Sequence, residues 1–307
     1  MRVMFCGTAA FAVPSLERLL AAGHTIARCI TQPDRPRGRG LAREPSPVKA
    51  AALRLRVPLA QPERLSAAPL EGLGADVGVV AAYGQLIPRD VLALSPHGML
   101  GVHPSLLPKY RGAAPVAWAL LHGDTVTGVT IFRLNERLDA GDILLQRRME
   151  VEPREDAQAL TSRLAEAGAE ALVEALEAVA EGRARATPQD EAQATLAPKL
   201  AKAQGRIDWR APAETIERLV RATVPWPGAS TAWRGVSLRV WRAAVGAGDS
   251  ASAPPGTVAA AGQGIIRVAA GRGCVDLLEV QPAGRRRMGV AEFLAGHRMT
   301  VGERFET

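Results

Sequence analysis

Residues 101–115 read G-V-H-P-S-L-L-P-K-Y-R-G-A-A-P. This stretch follows the predicted strand His97–Val102 and precedes the predicted helix Ala114–Leu121. A loop between a strand and a helix of an α/β protein lies at the carboxyl edge of the sheet, where open sheets bind their ligands. The loop holds one histidine, His103, among prolines that stiffen the backbone. We therefore expect His103 to belong to a ligand site.

Around this loop, strands and helices alternate over the first 180 residues. The longest predicted helix, Asp156–Glu181, is rich in Ala, Glu and Leu with repeated apolar spacing. Such alternation predicts an α/β domain with a parallel sheet wound on both faces, over residues 1–182. The predicted strands are Arg2–Gly7, Thr25–Thr31, Asp76–Ala82, His97–Val102, Val126–Leu134 and Ile143–Val151.

The character of the chain changes after residue 182. Residues 183–204 are polar and Ala-rich with little periodicity, which predicts a linker. Residues 205–307 hold short β-rich runs separated by Gly and Pro, with one clear helix at Ala213–Ala222. This pattern predicts a second domain built as a small β-barrel or sandwich.

The charge is distributed unevenly between these parts. The 307 residues carry a net charge of +7, and only four of the 38 basic residues are lysines. Residues 205–307 hold 14 arginines against nine acids, whereas residues 1–204 hold 24 basic and 22 acidic residues. Codon bias accounts for arginine over lysine, but it does not require this asymmetry. A polyanionic partner of the C-terminal third is the functional alternative.

Several classes of protein are disfavoured by missing motifs. The chain has no G-x-x-x-x-G-K-[ST], no G-x-G-x-x-G after the first strand and no G-x-S-x-G. Cys6, Cys29 and Cys274 are isolated, so we expect no structural metal. Isolated cysteines and the lack of a long apolar run predict a cytoplasmic protein with no membrane partner.

Two further segments each admit two interpretations. Leu138–Asp142 (L-D-A-G-D) is either a simple β-turn or the place from which Asp139 reaches an imidazole. The segment Gln32–Pro45 carries four arginines, Arg39 among them, and is either solvated surface or a contact for phosphates and bases.

These motifs together resemble the folate-dependent formyltransferases, over nearly the whole chain. The H-P-S-L-L-P-K-Y-R-G-A-A-P and L-D-A-G-D segments carry most of the specificity. The remaining matches are FCGT at Phe5–Thr8, TQPDRPRGRG at Thr31–Gly40, PSPVK at Pro45–Lys49, AAYGQLIP at Ala81–Pro88, GVTI at Gly128–Ile131, RIDW at Arg206–Trp209 and PWPG at Pro225–Gly228. The last two, with the GRG loop, are similar to the branch whose acceptor is a tRNA.

The resemblance implies a fold and a reaction. A Rossmann-like N-terminal domain would bind 10-formyltetrahydrofolate, and an OB-like C-terminal domain would help to hold initiator methionyl-tRNA. The formyl group would pass to the α-amine of methionine without a metal or nucleotide cofactor, and we expect a monomer. Implied site residues are the catalytic pair His103 and Asp139, the folate-binding Ser105, Leu106, Leu107 and Pro108, and the tRNA-binding Arg39.

One position departs from the family pattern. The family has Asn two residues before the histidine, whereas this chain has Gly101. An Asn amide there would donate a hydrogen bond to the oxyanion that forms during formyl transfer. Loss of one such donor typically lowers the rate by a factor of about 10²–10³. Another group or water substitutes for the amide, or the enzyme is slow, or the chain is an inactive tRNA-binding protein. We expect a weakened or compensated enzyme. The variant Gly101→Asn should distinguish the alternatives, because it would raise the turnover of an impaired enzyme but not that of a binding protein. A different amine acceptor, such as an amino-sugar nucleotide, is a further alternative.

Overall fold

The structure is a computed structural model that describes residues 1–37, 42–247 and 253–306. The chain divides into two units. The first comprises Met1–Pro115, Val126–Glu150 and Thr161–Pro198; the second comprises Val116–Thr125, Val151–Leu160 and Lys199–Thr307. Residues 187–197, within the segment predicted as a linker, thus belong to the first unit.

Most of the first 180 residues lie in regular elements. In chain order these are β1 (Arg2–Gly7), α1 (Val13–Ala21), β2 (Thr25–Ile30), β3 (Arg35–Arg37), β4 (Ala42–Glu44), α2 (Pro47–Arg54), β5 (Leu59–Ala60), β6 (Val77–Ala81), α3 (Arg89–Leu92), β7 (Met99–His103), α4 (Pro115–His122), β8 (Val126–Arg133), β9 (Ile143–Glu150) and α5 (Ala157–Ala180). Ser46 caps α2 by accepting the Lys49 amide, and Pro47 follows it at the first helical position, a pair of residue types that favours a helix start.

The main sheet of the first unit has the order β5-β2-β1-β6-β7-β8-β9. Strands β5 to β7 run parallel, whereas β8 and β9 are antiparallel to their neighbours. The Rossmann-like α/β class is confirmed, with a mixed rather than a wholly parallel sheet. In β9 the exposure of the side chains alternates in its second half, which is typical of a strand with one solvated face.

The two faces of β7 pack against different parts of the unit. Val102 faces α5, where a Cβ on Gly168 would lie only 2.9 Å from its Cγ1. Met99 belongs to the opposite core cluster, with Met4, Cys6 and Tyr83. Because side chains alternate along a strand, Gly101 and His103 share the face of Met99.

The second unit is built around an antiparallel sheet. Its elements are α6 (Ala213–Ala222), β10 (Ala229–Trp233), β11 (Val236–Gly246), β12 (Val258–Gly262), β13 (Ile265–Ala269), β14 (Cys274–Pro282), β15 (Met288–Gly289), α7 (Val290–Gly296) and β16 (Phe305–Glu306). The strand order is β12-β13-β14-β11-β10-β16, with β15 paired to β14. A bridge between Thr257 and Arg304 joins the two ends of this order.

This curled sheet confirms the expected barrel-like fold class. Its interior is apolar and contains Trp209, Ile216, Val240 and Phe293, each at most 2% exposed. The indole of Trp209 donates to the Thr231 hydroxyl at 3.0 Å, which satisfies its buried N–H. Among the described residues, no helix combines the length and the apolarity needed to cross a membrane.

Candidate active site

His103 is the last residue of β7, and its ring is almost fully buried. Its Nε2 lies 2.9 Å from the carbonyl oxygen of Tyr110. A carbonyl can only accept a hydrogen bond, so Nε2 carries a proton. The other ring nitrogen, Nδ1, lies 3.7 Å from Oδ2 of Asp139. The structure therefore brings the two predicted catalytic side chains together, with Nδ1 as the nitrogen that faces the carboxylate.

The position of the Asp139 carboxylate depends on its own backbone conformation and on a hydrogen bond from Gly112. Its backbone is left-handed, with φ of 48°, a conformation that Asp adopts more readily than most residues. Its Oδ2 accepts the Gly112 amide at 2.8 Å. The two interpretations of this segment are therefore compatible: Asp139 has a turn conformation, and its carboxylate also lies beside the imidazole. The carboxylate is about one-fifth exposed, so it borders solvent as well as His103.

The S-L-L-P segment is a loop that is held by hydrogen bonds to the Thr130 hydroxyl and by one hydrogen bond within the loop. The Thr130 hydroxyl donates to Ser105 O at 2.7 Å and accepts the Leu107 amide at 3.1 Å. Ser105 Oγ donates to Lys109 O at 2.6 Å. Ser105 and Leu107 are buried, whereas Leu106 and Pro108 are partly exposed. The loop therefore offers Leu106, Pro108 and backbone to a ligand.

Part of the predicted linker binds this loop directly. Thr195 accepts the Tyr110 amide with its hydroxyl at 2.8 Å and the Arg111 amide with its carbonyl at 2.8 Å. Ala197 N donates to Arg111 O at 2.7 Å. These bonds add a short strand-like pairing to residues 110–111 beside the site.

Gln189, in the same segment, holds the turn that carries Asp139. Its Nε2 donates to the carbonyls of Asp139 and Gly141, at 2.8 and 2.7 Å. Its Oε1 accepts from Nε and Nη2 of buried Arg111, at 3.1 and 2.8 Å. Arg111 also pairs with Glu191 at 2.9 Å, and this hydrogen bond is the main cause that lowers the pKa of Glu191.

Sequence reasoning missed Gln189 and Thr195 and gave Arg111 no role. The first two lie in a stretch without hydrophobic periodicity, and they contact residues 50 and 85 positions away. Only the polar side chains themselves, placed among prolines and alanines, offered a signal.

Gly101 has no room for a side chain. A Cβ built on it would lie 2.4 and 2.6 Å from Cε1 and Cζ of Phe132, and 2.8 Å from Cδ1 of Leu134. Gly101→Asn therefore cannot serve alone to distinguish an impaired enzyme from a binding protein, because the new side chain collides with a buried ring.

Arg39 lies outside the described residues, so its predicted tRNA contact stays a prediction. The base of its loop is fixed: Asp34 pairs with Lys49 and accepts from Gln61 Nε2 at 2.8 Å. Arg35 and Glu44 are register partners in the backbone of the short antiparallel β3–β4 ladder.

The two cysteines of the first unit are unsuited to nucleophilic chemistry. Burial raises the pKa of Cys29 to about 12, and burial together with the neighbouring Cys29 also raises the pKa of Cys6. The described parts of the chain contain no group of three or more His, Cys, Asp or Glu arranged to hold a metal ion.

Comparisons with known proteins find similarity along nearly the whole chain. The formyl transferase family model matches residues 1–176, and the model of the formyl transferase C-terminal domain matches residues 199–298. The methionyl-tRNA formyltransferase of Solibacter usitatus (strain Ellin6076) is 47% identical over 308 residues, covering 99% of this chain and 98% of that protein. That of Roseiflexus sp. (strain RS-1) is 48% identical and covers 99% and 95%.

A solved structure is similar in fold. HypX from Aquifex aeolicus in complex with tetrahydrofolic acid superposes with a TM-score of 0.65 at 20% sequence identity. The similarity covers all of this chain and half of that longer protein.

Proposed function

The chain belongs to the formyl transferase family, and we propose that it transfers the formyl group of 10-formyltetrahydrofolate to the α-amine of methionyl initiator tRNA. The observation that carries the proposal is similarity at 47–48% identity over nearly the full length, C-terminal domain included, to proteins named for this reaction. The neighbouring His103 and Asp139 supply groups suited to it.

The chemistry needs a hydrogen-bond donor for the formyl oxygen and an acceptor for the amine proton. His103 Nε2 is engaged by the Tyr110 carbonyl, so Nδ1, when protonated, is the ring atom that can donate to the developing oxyanion. The Asp139 carboxylate stabilises that protonated ring and accepts the amine proton, directly or through water. Leu106 and Pro108 support the folate from the partly exposed side of the loop, while buried Ser105 and Leu107 fix its shape.

We assign residues 1–182 to folate binding and residues 205–307, with Arg39, to tRNA. The excess of arginine in the C-terminal third supports this assignment, because phosphate contacts dominate the affinity for nucleic acid. Arg39→Ala is expected to weaken discrimination between initiator and elongator tRNA. We further propose a monomer acting in the cytoplasm, where its tRNA substrate is used.

An inactive tRNA-binding protein is not favoured, because the catalytic pair and the loop that holds it are both in place. The full-length relatives also disfavour an amino-sugar acceptor.

The test is formylation of charged initiator tRNA with 10-formyltetrahydrofolate as donor. We expect formylmethionyl-tRNA from the wild-type protein and a strong loss of turnover in His103→Ala with tRNA affinity retained. Elongator methionyl-tRNA and an amino-sugar nucleotide are the control acceptors. Folded protein that binds tRNA but yields no product would refute the proposed activity, and faster transfer to the amino sugar would replace the acceptor.

A further inference from the structure

Gly101 and Phe132 face each other across the antiparallel pair of β7 and β8. Their Cα atoms are direct partners in the ladder, and His103 pairs with Thr130 two residues along. Side chains of direct partners lie on the same face, so the Phe132 ring lies above Gly101 on the face that carries His103. Phe132 is 3% exposed.

The ring occupies the volume in which a side chain at position 101 would lie. The separations of 2.4 and 2.6 Å to a Cβ are shorter than any real carbon contact, so glycine is a condition for this placement of Phe132. Because the ring is buried, it has no solvent space into which it can turn.

The same ring borders the imidazole of His103. Their centroids are 6.5 Å apart and the planes are at 88°, an edge-to-face arrangement. The hydrogen bond from Nε2 to Tyr110 O fixes one edge of the imidazole, and Phe132 limits its rotation on another side.

We propose that Phe132 is a positioning residue for His103, and that Gly101 is the residue that admits it. The proposal rests on the proposed function of His103 and deepens it. The Phe132 ring occupies the space that the Asn side chain of the family pattern would take at position 101. Packing of this ring against the imidazole orients His103, and this orientation compensates for the missing amide.

The first test compares two conservative variants of neighbouring buried residues. Phe132→Leu removes the ring but keeps an apolar side chain, and Ile131→Val trims the adjacent residue, which lies on the opposite face with Val102. Because a small misplacement of a catalytic group costs about 10²-fold, we expect Phe132→Leu to lower kcat by about that factor. KM for both substrates should stay unchanged, and Ile131→Val should keep wild-type kcat.

A double-mutant cycle tests the role of Gly101. Gly101→Ala should lower kcat by displacing the ring, whereas in the Phe132→Leu background the same change meets less obstruction. The loss in the double variant should therefore be smaller than the product of the two single losses. Simple multiplication of the losses would overturn the pairing.

A readout independent of turnover is the pair of ring-nitrogen NMR signals of His103, assigned with His103→Gln. We expect Phe132→Leu to shift these signals and Ile131→Val to leave them in place. Unchanged signals, together with equal kcat in the two variants, would overturn the proposal. A wild-type protein without formyltransferase activity would refute the proposed function, while the signals would still decide whether Phe132 positions His103.

Discussion

Asp139 combines a left-handed backbone with a carboxylate that accepts a backbone amide, and this carboxylate lies beside His103. Its φ is 48°, its Oδ2 lies 3.7 Å from Nδ1 of His103, and the Gly112 amide donates to Oδ2 at 2.8 Å. Asp139→Asn keeps the shape but removes the charge and the proton acceptor. We expect kcat to fall by about 10²–10⁴ with tRNA affinity unchanged, as measured by single-turnover formylation and filter binding.

Glu136→Gln is the matched control, since this exposed carboxylate lies on the same loop and pairs only with exposed Arg89 among the described residues. A parallel fall of tRNA affinity in Asp139→Asn would mean that the residue maintains structure rather than chemistry.

Gln189 holds the turn that carries Asp139, although it lies 50 residues further along the chain. Gln189→Glu replaces the amide donor with an acceptor that faces two carbonyls. An unsatisfied buried polar group costs about 1–3 kcal/mol, so the melting temperature should fall. Loosening of the turn should also lower kcat with little change in KM. Gln193→Ala, on the exposed side of the same segment, loses an exposed hydrogen bond to Asp190 and should change neither the melting temperature nor kcat. If both variants behave alike, Gln189 does not position Asp139.

The segment that joins the ends of the second sheet is held by one carboxylate, that of Glu303. Burial would raise the pKa of Glu303, but hydrogen bonds from Thr300, Trp233 and Arg234 outweigh it and lower the pKa to about 2. A lowered pKa in the folded state stabilises the protein above the unfolded value near 4.5, and this stabilisation is lost as the pH falls towards 2.

Glu303→Gln should therefore lower the urea midpoint at pH 7 and lose most of its effect near pH 2.5. Unfolding followed by tryptophan fluorescence measures this difference, with exposed Glu71→Gln as the control for loss of charge. An equal effect of Glu303→Gln at both pH values would contradict the ionic role of Glu303.

The elements themselves were largely predictable where burial dictates the pattern. Buried central strands such as β1 and β6 read as short apolar runs, and Ser46-Pro47 marks a helix start by local chemistry. The direction of β8 and β9 was not predictable, because it depends on how connections cross the sheet rather than on side-chain periodicity. Residues 187–197 looked like a linker because their contacts are hydrogen bonds, which leave no hydrophobic period.

The candidate site was predictable from the sequence only in part. His103 and Asp139 stand in recognisable motifs, and the structure brings them together. Gln189 reaches Asp139 from 50 residues away, and the contact of Phe132 with Gly101 depends on the register of two strands. Neither relation has a local sequence signal, since both arise only when the chain is folded.

The excess positive charge of residues 205–307 makes a prediction about the protein as a whole. Many arginines there pair with carboxylates, as Arg267 does with Asp276 and Arg286 with Glu292. Arg285 and Arg298 are exposed. If they contact phosphates, Arg285→Gln and Arg298→Gln should each reduce the slope of log K against log salt by about 0.9. Turnover at saturating tRNA should stay at the wild-type value.

Arg54→Gln, which changes an exposed arginine of the first unit that pairs with Glu17, is the control. An unchanged slope in both C-terminal variants, measured by tRNA binding from low to moderate salt, would place the phosphate contacts on other arginines.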